Sequence, residues 1–450
     1  MSFTRNHRYP SVKKRFAIWA ALFSVGTLAM PATALASNER ESLTTDSERY
    51  FKSEDIFNLE YVSEVQVSPN GKYVAYVRRS NDIMSDSSRA NVWLASVDGK
   101  SHRPLLSSKK SYYSIRWSPD GSRLAYLSNE EGKPQLYVRW MDTGQTAIVT
   151  NVTSNPSNIT WSPDGKHIAF TMSVDAKEKP LDIKMPKKPD GAKWSPSFQY
   201  ITKARYQADG RGILEPAYTH IFIVPADGGT ARQLTSGNYH HNGRLSFSPD
   251  SDKIYFSANR SDNWEYEPVE GDIFSVDMMG NIAQLTNDKG LESSPVVSPD
   301  GKHIAYARRD DEKVMYKNSY LYVMKSDGTD AQNLTKDIDN SVSNFHWKDN
   351  KHVYFQQSVR GLAQVDVVSL SGSVKAVAKG LGGTTLGRPY VFGTYHAVDD
   401  VVAYTKGRTD RPAELYVTTR NERQLTALNE DVLGHKQLGE VKEICLSVFY

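Results

Sequence analysis

One phrase recurs along this chain and constrains its fold more than any other feature. Residues 115–128 read IRWSPDGSRLAYLS, residues 159–172 read ITWSPDGKHIAFTM, and residues 295–308 read PVVSPDGKHIAYAR. Each copy is an apolar run, a Ser-Pro-x-Gly turn, and a second apolar run. Proline fixes φ for the turn, Asp or Asn bonds its own backbone, and glycine accepts positive φ. The phrase therefore predicts a strand–turn–strand hairpin. An internal repeat of such hairpins predicts a modular architecture in which each unit buries its faces against neighbours.

The repeat has two halves. First halves are VSPNGKYVAY (67–76), WSPDGSRLAY (117–126), WSPDGKHIAF (161–170), FSPDSDKIYF (247–256) and VSPDGKHIAY (297–306), followed by the degenerate WKDNKHVYF (347–355) and AVDDVVAY (397–404). The second halves are NVWLASVDG, QLYVRWMDTG, HIFIVPADGG, DIFSVDMMG, YLYVMKSDG, AQVDVVSLSG and ELYVTTRNE. They interleave with the first halves without a miss. Turn prolines at 69, 119, 163, 249 and 299 give a usual period of 44–50 residues. Four short strands at that period describe one blade of a β-propeller. The fold expected is all-β: a seven-bladed propeller over 67–430, with a short N-terminal helix and a leading signal peptide. A closed ring leaves few bare sheet edges.

One interval is too long, 86 residues between Pro163 and Pro249. The excess lies in 173–219, an insertion expected in blade three, and Pro and Lys crowd 177–193. We expect a mobile excursion, either functional or a solvated loop. WSPSF at 194–198 has no glycine turn or apolar strand after it and is not counted as a blade. Ahead of the first turn, 37–66 is an N-terminal extension. Within it SEDIFNLE (53–60) is expected to form a short helix, with Ser53 as N-cap and Glu54 and Asp55 in its first turn.

Residues 1–36 combine a basic stretch, RNHRYPSVKKR, with FAIWAALFSVGTLAM and the small residues ALA at 34–36. This is the pattern of a secretory signal peptide, the alternative being an uncleaved membrane anchor. It is the only contact with a membrane expected, so the protein should be exported, periplasmic or secreted. The segment holds Arg5, Arg8, Lys13, Lys14 and Arg15, so the formal charge of +3 becomes 50 minus 52, or −2, once it is removed. That balance gives no support to a nucleic-acid partner. Cys445 is the only cysteine, which excludes an internal disulfide and a cysteine metal site.

Chemistry-bearing motifs are scarce. No Gly-x-Ser-x-Gly nucleophile elbow, HExxH, P-loop, GxGxxG or EF-hand loop occurs, and no cofactor, metal ligand or catalytic residue is assigned. Asp120, Asp164, Asp250 and Asp300 occupy the turn position where Asp bonds locally, so they are read as structural rather than calcium ligands. His240 and His241 would point to opposite faces of an extended segment and are read as loop histidines. Two stretches stand out as candidate substrate contacts. NWEYEPVEGD (263–272) sets Glu265, Glu267 and Glu270 among aromatics. Glu265 and Glu267 would share a face of an extended segment and could hold an amino group, although a solvated acidic loop is the plainer reading. ARYQADGRG (204–212) places Arg205 and Tyr206 beside the turn Asp209-Gly210, and Arg205 could clamp a carboxylate or form a surface ion pair.

The leading SEDIFNLEYVSEVQVSPNGKYVAY, the insert ARYQADGRG followed by HIFIVPADGGTARQLT, and the phrase NRSDNWEY occur in order. In that order the chain, over about 40–440, resembles the propeller region of the prolyl oligopeptidase family of serine peptidases, in particular its exported acylaminoacyl-peptidase and dipeptidyl-peptidase branches. The Ser-Pro-Asp-Gly units alone are shared with TolB-type propellers. The resemblance implies a propeller that covers an active site and admits short or unstructured peptides, with loops that in some branches bind the peptide's terminus. Family members continue into an α/β-hydrolase domain carrying a serine triad. Here 431–450 would be the start of the linker to that domain, and no triad residue can be carried over. The partner expected is therefore a peptide substrate or an absent hydrolase domain. A free-standing TolB-like binding propeller is the second reading, and a propeller enzyme with a metal in its central channel the third.

Overall fold

The computed structural model of the chain describes residues 49–176, 186–195, 201–311, 314, 316–387 and 392–444. The signal segment 1–36, the stretch 177–185 of the Pro- and Lys-rich run, and Cys445 in the final residues all lie outside it. Among the described residues the strands form seven four-stranded antiparallel sheets and one two-stranded ribbon. The order in every large sheet follows the chain, so each blade is an up-and-down meander, with the ribbon inserted between the second and third strands of blade 3. Blade 1 is built from Glu60–Val67, Tyr73–Asp82, Ser87–Ser96 and His102–Leu106. Blade 7 is built from Tyr395–Val398, Val401–Arg408, Arg411–Thr418 and Glu422–Gln424. First strands of successive blades approach one another and line the axis.

The repeated phrase forms the hairpin between the first and second strands of each blade. Its serine is the hub. Ser118 Oγ donates to Asp120 Oδ1 at 2.6 Å and accepts Arg123 N–H at 2.9 Å, while Asp120 Oδ1 also accepts Ser122 N–H at 3.0 Å. The same triangle recurs at Ser68/Asn70, Ser162/Asp164, Ser248/Asp250 and Ser298/Asp300. These hydrogen bonds hold the Asp120 carboxyl at about 2, the hydroxyls of Ser118 and Ser122 being the largest cause. The turn aspartates are structural.

The tryptophan before the turn joins blade to blade. Trp117 Nε1 donates to Gln66 O at 3.1 Å, Trp161 Nε1 to Arg116 O at 3.1 Å, and Trp347 Nε1 to Val296 O at 2.8 Å. Each acceptor sits one residue before the equivalent position in the preceding blade. Where valine replaces tryptophan, the backbone makes the tie: Val297 N–H to Ser246 Oγ at 3.0 Å, and Val67 N–H to His396 Nδ1 at 3.1 Å. The last of these joins blade 7 to blade 1. Between the blades lie separate apolar clusters, such as Val62, Val65 and Tyr76 against Ala403 and Leu415.

The structure corrects three expectations of detail. The N-terminal helix is a 3-10 helix, Ser53–Asn58, capped by Lys52 rather than Ser53. Asp55 reaches back to Lys52 N–H at 2.8 Å, which pins the turn one residue earlier. The propeller begins at Glu60, upstream of residue 67, because the apolar run before the first turn is already strand. The insertion proper is 176–216, since Ser173–Asp175 and Ala217–Thr219 still pair across blade 3. Trp194 and Ser195 carry no strand, and the rest of that phrase lies outside the described residues.

Candidate functional site

Loops joining second to third strands lie on the face opposite the Ser-Pro-Asp-Gly turns. On blades 3 and 4 these loops are long. The insertion returns through a small ribbon, Gln207–Ala208 paired with Gly212–Ile213, and blade 4 contributes residues 259–271. Together with the first strand of blade 5 they enclose a cleft of about 550 Å³. Lys203, Arg205 and Arg211 line it from the insertion, Trp264 and Glu265 from blade 4, and Glu292 from blade 5.

The back wall is aromatic. Tyr218, His240 and Trp264 meet in tilted and edge-on contacts, with ring centroids 5.4–6.3 Å apart. Lys203 Nζ lies 5.6 Å from the Tyr218 ring and 6.0 Å from that of Trp264. Its ion-pair partner is Glu265, at 2.7 Å, and Glu265 also accepts Ala204 N–H at 3.0 Å. Burial pushes the Glu265 carboxyl up, but the Lys203 hydrogen bond and the Ala204 N–H outweigh it and leave the group below its ordinary value. Glu265 thus fastens the insertion to blade 4.

The sequence expectations divide here. Arg205 and Glu265 are brought into one cleft, and Glu270 joins them. Glu265 and Glu267 do not share a face: residues 261–267 form turns, with Tyr266 N–H bonding Asn263 O at 2.8 Å. Glu267 instead lines a neighbouring hollow with Tyr266 and Arg309. An Asn-rich start and Pro268 favour turns over an extended run, which separates the two carboxylates. Tyr206 and Asp209 stand exposed on the ribbon and outside the lining of the cleft. His240 faces the cleft, whereas His241 is buried beside His220, with Nδ1 to Nδ1 at 3.2 Å, so the two do point to opposite sides.

Glu292 was missed. It is 0% exposed, both carboxylate oxygens lack a hydrogen-bond partner, and Arg308 Nη1 stands 3.5 Å from Oε1. Burial pushes its carboxyl up to about 7, and the neighbouring Asp272 is pushed by burial to about 6. A signal existed. Counting back six residues from the turn serine or its equivalent, blades 1, 2, 3 and 6 carry Val62, Tyr112, Pro156 and Val342, all buried and apolar, and blade 4 the exposed Asn242. A glutamate buried in that series departs from its apolar members.

A family model of the TolB β-propeller domain matches residues 70–214, and one of the dipeptidyl peptidase IV N-terminal region matches residues 197–307. Dipeptidyl-peptidase 5 of Porphyromonas gingivalis is 23% identical over 440 residues, covering 94% of this chain and 60% of that protein. An uncharacterized peptidase of Bacillus subtilis is 28% identical over 208 residues, 46% of this chain and 31% of that one. The chain thus spans less than two thirds of these relatives' length. The Tol-Pal system protein TolB of Pseudomonas aeruginosa is 30% identical over 137 residues, 30% of each chain. Among solved structures, the acylaminoacyl peptidase of Pyrococcus horikoshii superposes with a TM-score of 0.66 at 18% identity, over 85% of this chain and 54% of that one. The β-propeller domain of the trilobed protease of Pyrococcus furiosus, described as having an open velcro topology, gives 0.57 at 18% identity, over 83% and 98%.

These matches and the seven sequential sheets define the class: a seven-bladed TolB-type β-propeller. Its particular likeness is to the propeller domains of dipeptidyl-peptidase and prolyl-oligopeptidase-type peptidases.

Proposed function

We propose that this chain is the substrate-admitting propeller of an exported serine peptidase acting on short peptides. In this reading the cleft on blades 3–5 holds a peptide end. The carrying observation is the bipolar lining of the cleft. Arg205 and Arg211 stand on the insertion side, Glu270 and Glu292, whose oxygens accept no hydrogen bond, on the blade 5 side, and aromatic rings line the same cleft. A peptide ammonium would give the Glu292 oxygens the hydrogen bonds they lack, and an arginine would meet a carboxylate. Hydrolysis itself would come from a hydrolase domain with a nucleophile, base and oxyanion hole; the propeller would sort what reaches it.

The test is calorimetric. Tetrapeptides with free ends should bind the full chain, and N-acetylation should weaken binding by about tenfold or more, one lost charge-assisted hydrogen bond. Trp264→Ala should weaken both forms. Indifference to acetylation, or no saturable binding at millimolar peptide, rejects the cleft as a peptide-end site.

The TolB match over residues 70–214 favours a second reading, a free-standing propeller that binds a protein or peptide without enzymatic activity. Both readings expect the purified chain to be inert towards chromogenic peptides. Turnover abolished by a serine-directed inhibitor would refute both.

A further inference from the structure

The axial channel carries a second set of charges, remote from the cleft. Seven equivalent positions, one residue before the Trp-Ser-Pro series, lie on the first strands of the blades: Gln66, Arg116, Thr160, Ser246, Val296, His346 and His396. Two residues before the blade 1 and blade 4 members of that series stand Glu64 and Arg244. Nitrogen-bearing side chains of blades 2, 4, 6 and 7 thus gather near one another: Arg116, Arg244, His346 and His396.

The nearby acceptors are already taken. Glu64 accepts Ser114 N–H at 3.1 Å and Ile115 N–H at 3.3 Å, capping the bulge of blade 2 with both oxygens. Arg116 Nη1 donates to Ile115 O at 2.7 Å, and Arg244 Nη1 donates to Phe345 O. Neither guanidinium has an ion pair among the described residues, although each carries five N–H donors. His396 Nδ1 accepts Val67 N–H at 3.1 Å, so the proton of the neutral ring sits on Nε2. Its ring centroid is 5.1 Å from that of His346.

We propose that the axial channel holds an oxyanion, bound by the guanidinium groups of Arg116 and Arg244 and by the Nε2–H of His396, with His346 beside them. The chemistry is that of a carboxylate or an inorganic phosphate: compact, negatively charged and able to take several N–H donors at once. An anion would relieve the repulsion of Arg244 by Arg116 and take the N–H donors of both. Burial lowers Arg116, against the pull of Glu64, and burial is also the largest cause lowering Arg244 and both imidazoles, with Arg116 adding to it in each of those three. Nothing in this proposal depends on the peptide cleft, which uses other residues on other loops.

The experiment titrates inorganic phosphate and acetate separately into the full chain by calorimetry, with Arg116→Gln and Arg244→Gln as variants. Saturable binding of either anion in the millimolar range, weakened about tenfold in each variant, supports the site. The stronger of the two anions tells tetrahedral from planar preference. No saturable binding of either, or binding unchanged in both variants, overturns it. Should the variants unfold, histidine nitrogen NMR of the unmodified chain decides instead. The His396 Nε2 signal, assigned by its loss in His396→Gln, must move on addition of the anion; a stationary signal also overturns the proposal.

Discussion

Glu292 sets the residue-scale energetics of the cleft. A carboxyl whose folded pKa is raised to about 7 from 4.5 binds protons more strongly folded than unfolded. Stability then falls as pH rises from about 4.5 to about 7, by the linkage relation. Below that window both states are protonated and the penalty vanishes. Asp272, raised from 3.8 to about 6, adds in the same direction at lower pH. Glu292→Gln should therefore flatten the loss and stabilise the chain at pH 8 by on the order of 2 kcal/mol, with little change at pH 4.5. Urea midpoints at the two pH values check this; equal shifts at both would contradict it. The turn aspartates behave oppositely, since hydrogen bonds lower them, and their contribution is present at neutral pH and lost in acid. Their role was legible from the turn phrase, because Ser-x-Asp bonding is local. Glu292's role was not, because its neighbours Arg308 and Asp272 come from other strands.

Among the elements, the seam between blades 4 and 5 decides the shape of the cleft floor. Gly271 N–H bonds Gly290 O at 3.0 Å and Glu292 N–H bonds Gly271 O at 2.7 Å, a short parallel bridge between sheets. A Cβ at Gly271 would stand 2.8 Å from Leu291 Cδ1. Gly271→Ala should thus spread the seam and cost about 1–3 kcal/mol. Adding Leu291→Ala should recover part of that loss, so the double variant is more stable than the sum of the single effects predicts. Chemical denaturation of the four proteins closes the cycle; strict additivity would show that the contact is absent. The sequence marked this region as interesting through NWEYEPVEGD, but it suggested an extended segment, whereas turns at 261–267 aim Glu265 and Glu267 to different hollows.

On the scale of the whole molecule, the ring closes without exchanging a strand. Blade 7 and blade 1 are each contiguous, and their junction uses the same devices as the internal seams: an apolar cluster and the His396 to Val67 tie. One clamp is particular to the junction. Asn429 Oδ1 accepts Glu60 N–H and its Nδ2 donates to Glu60 O, both at 2.8 Å. Lys436 adds an ion pair to Asp55 at 2.8 Å. Asn429 is buried, so Asn429→Ala leaves two backbone groups unsatisfied and should cost about 2–3 kcal/mol. Hydrogen exchange should rise first in blades 1 and 7 and least in blade 4; uniform acceleration would show that the junction is no weak point.

The sequence by itself determined the blade: where each hairpin turns, how many blades there are, and which face of each strand is apolar. Those properties rest on interactions within a few residues and on a period that seven copies repeat. Only the tertiary structure decided what stands between blades. The backbone partners of Trp117 and Trp161 and the Asn429 clamp on Glu60 join residues 45 to 369 positions apart, and the buried carboxylate of Glu292 meets Asp272 of another blade. No periodicity encodes such meetings, because they depend on how the ring brings separate sheets into contact.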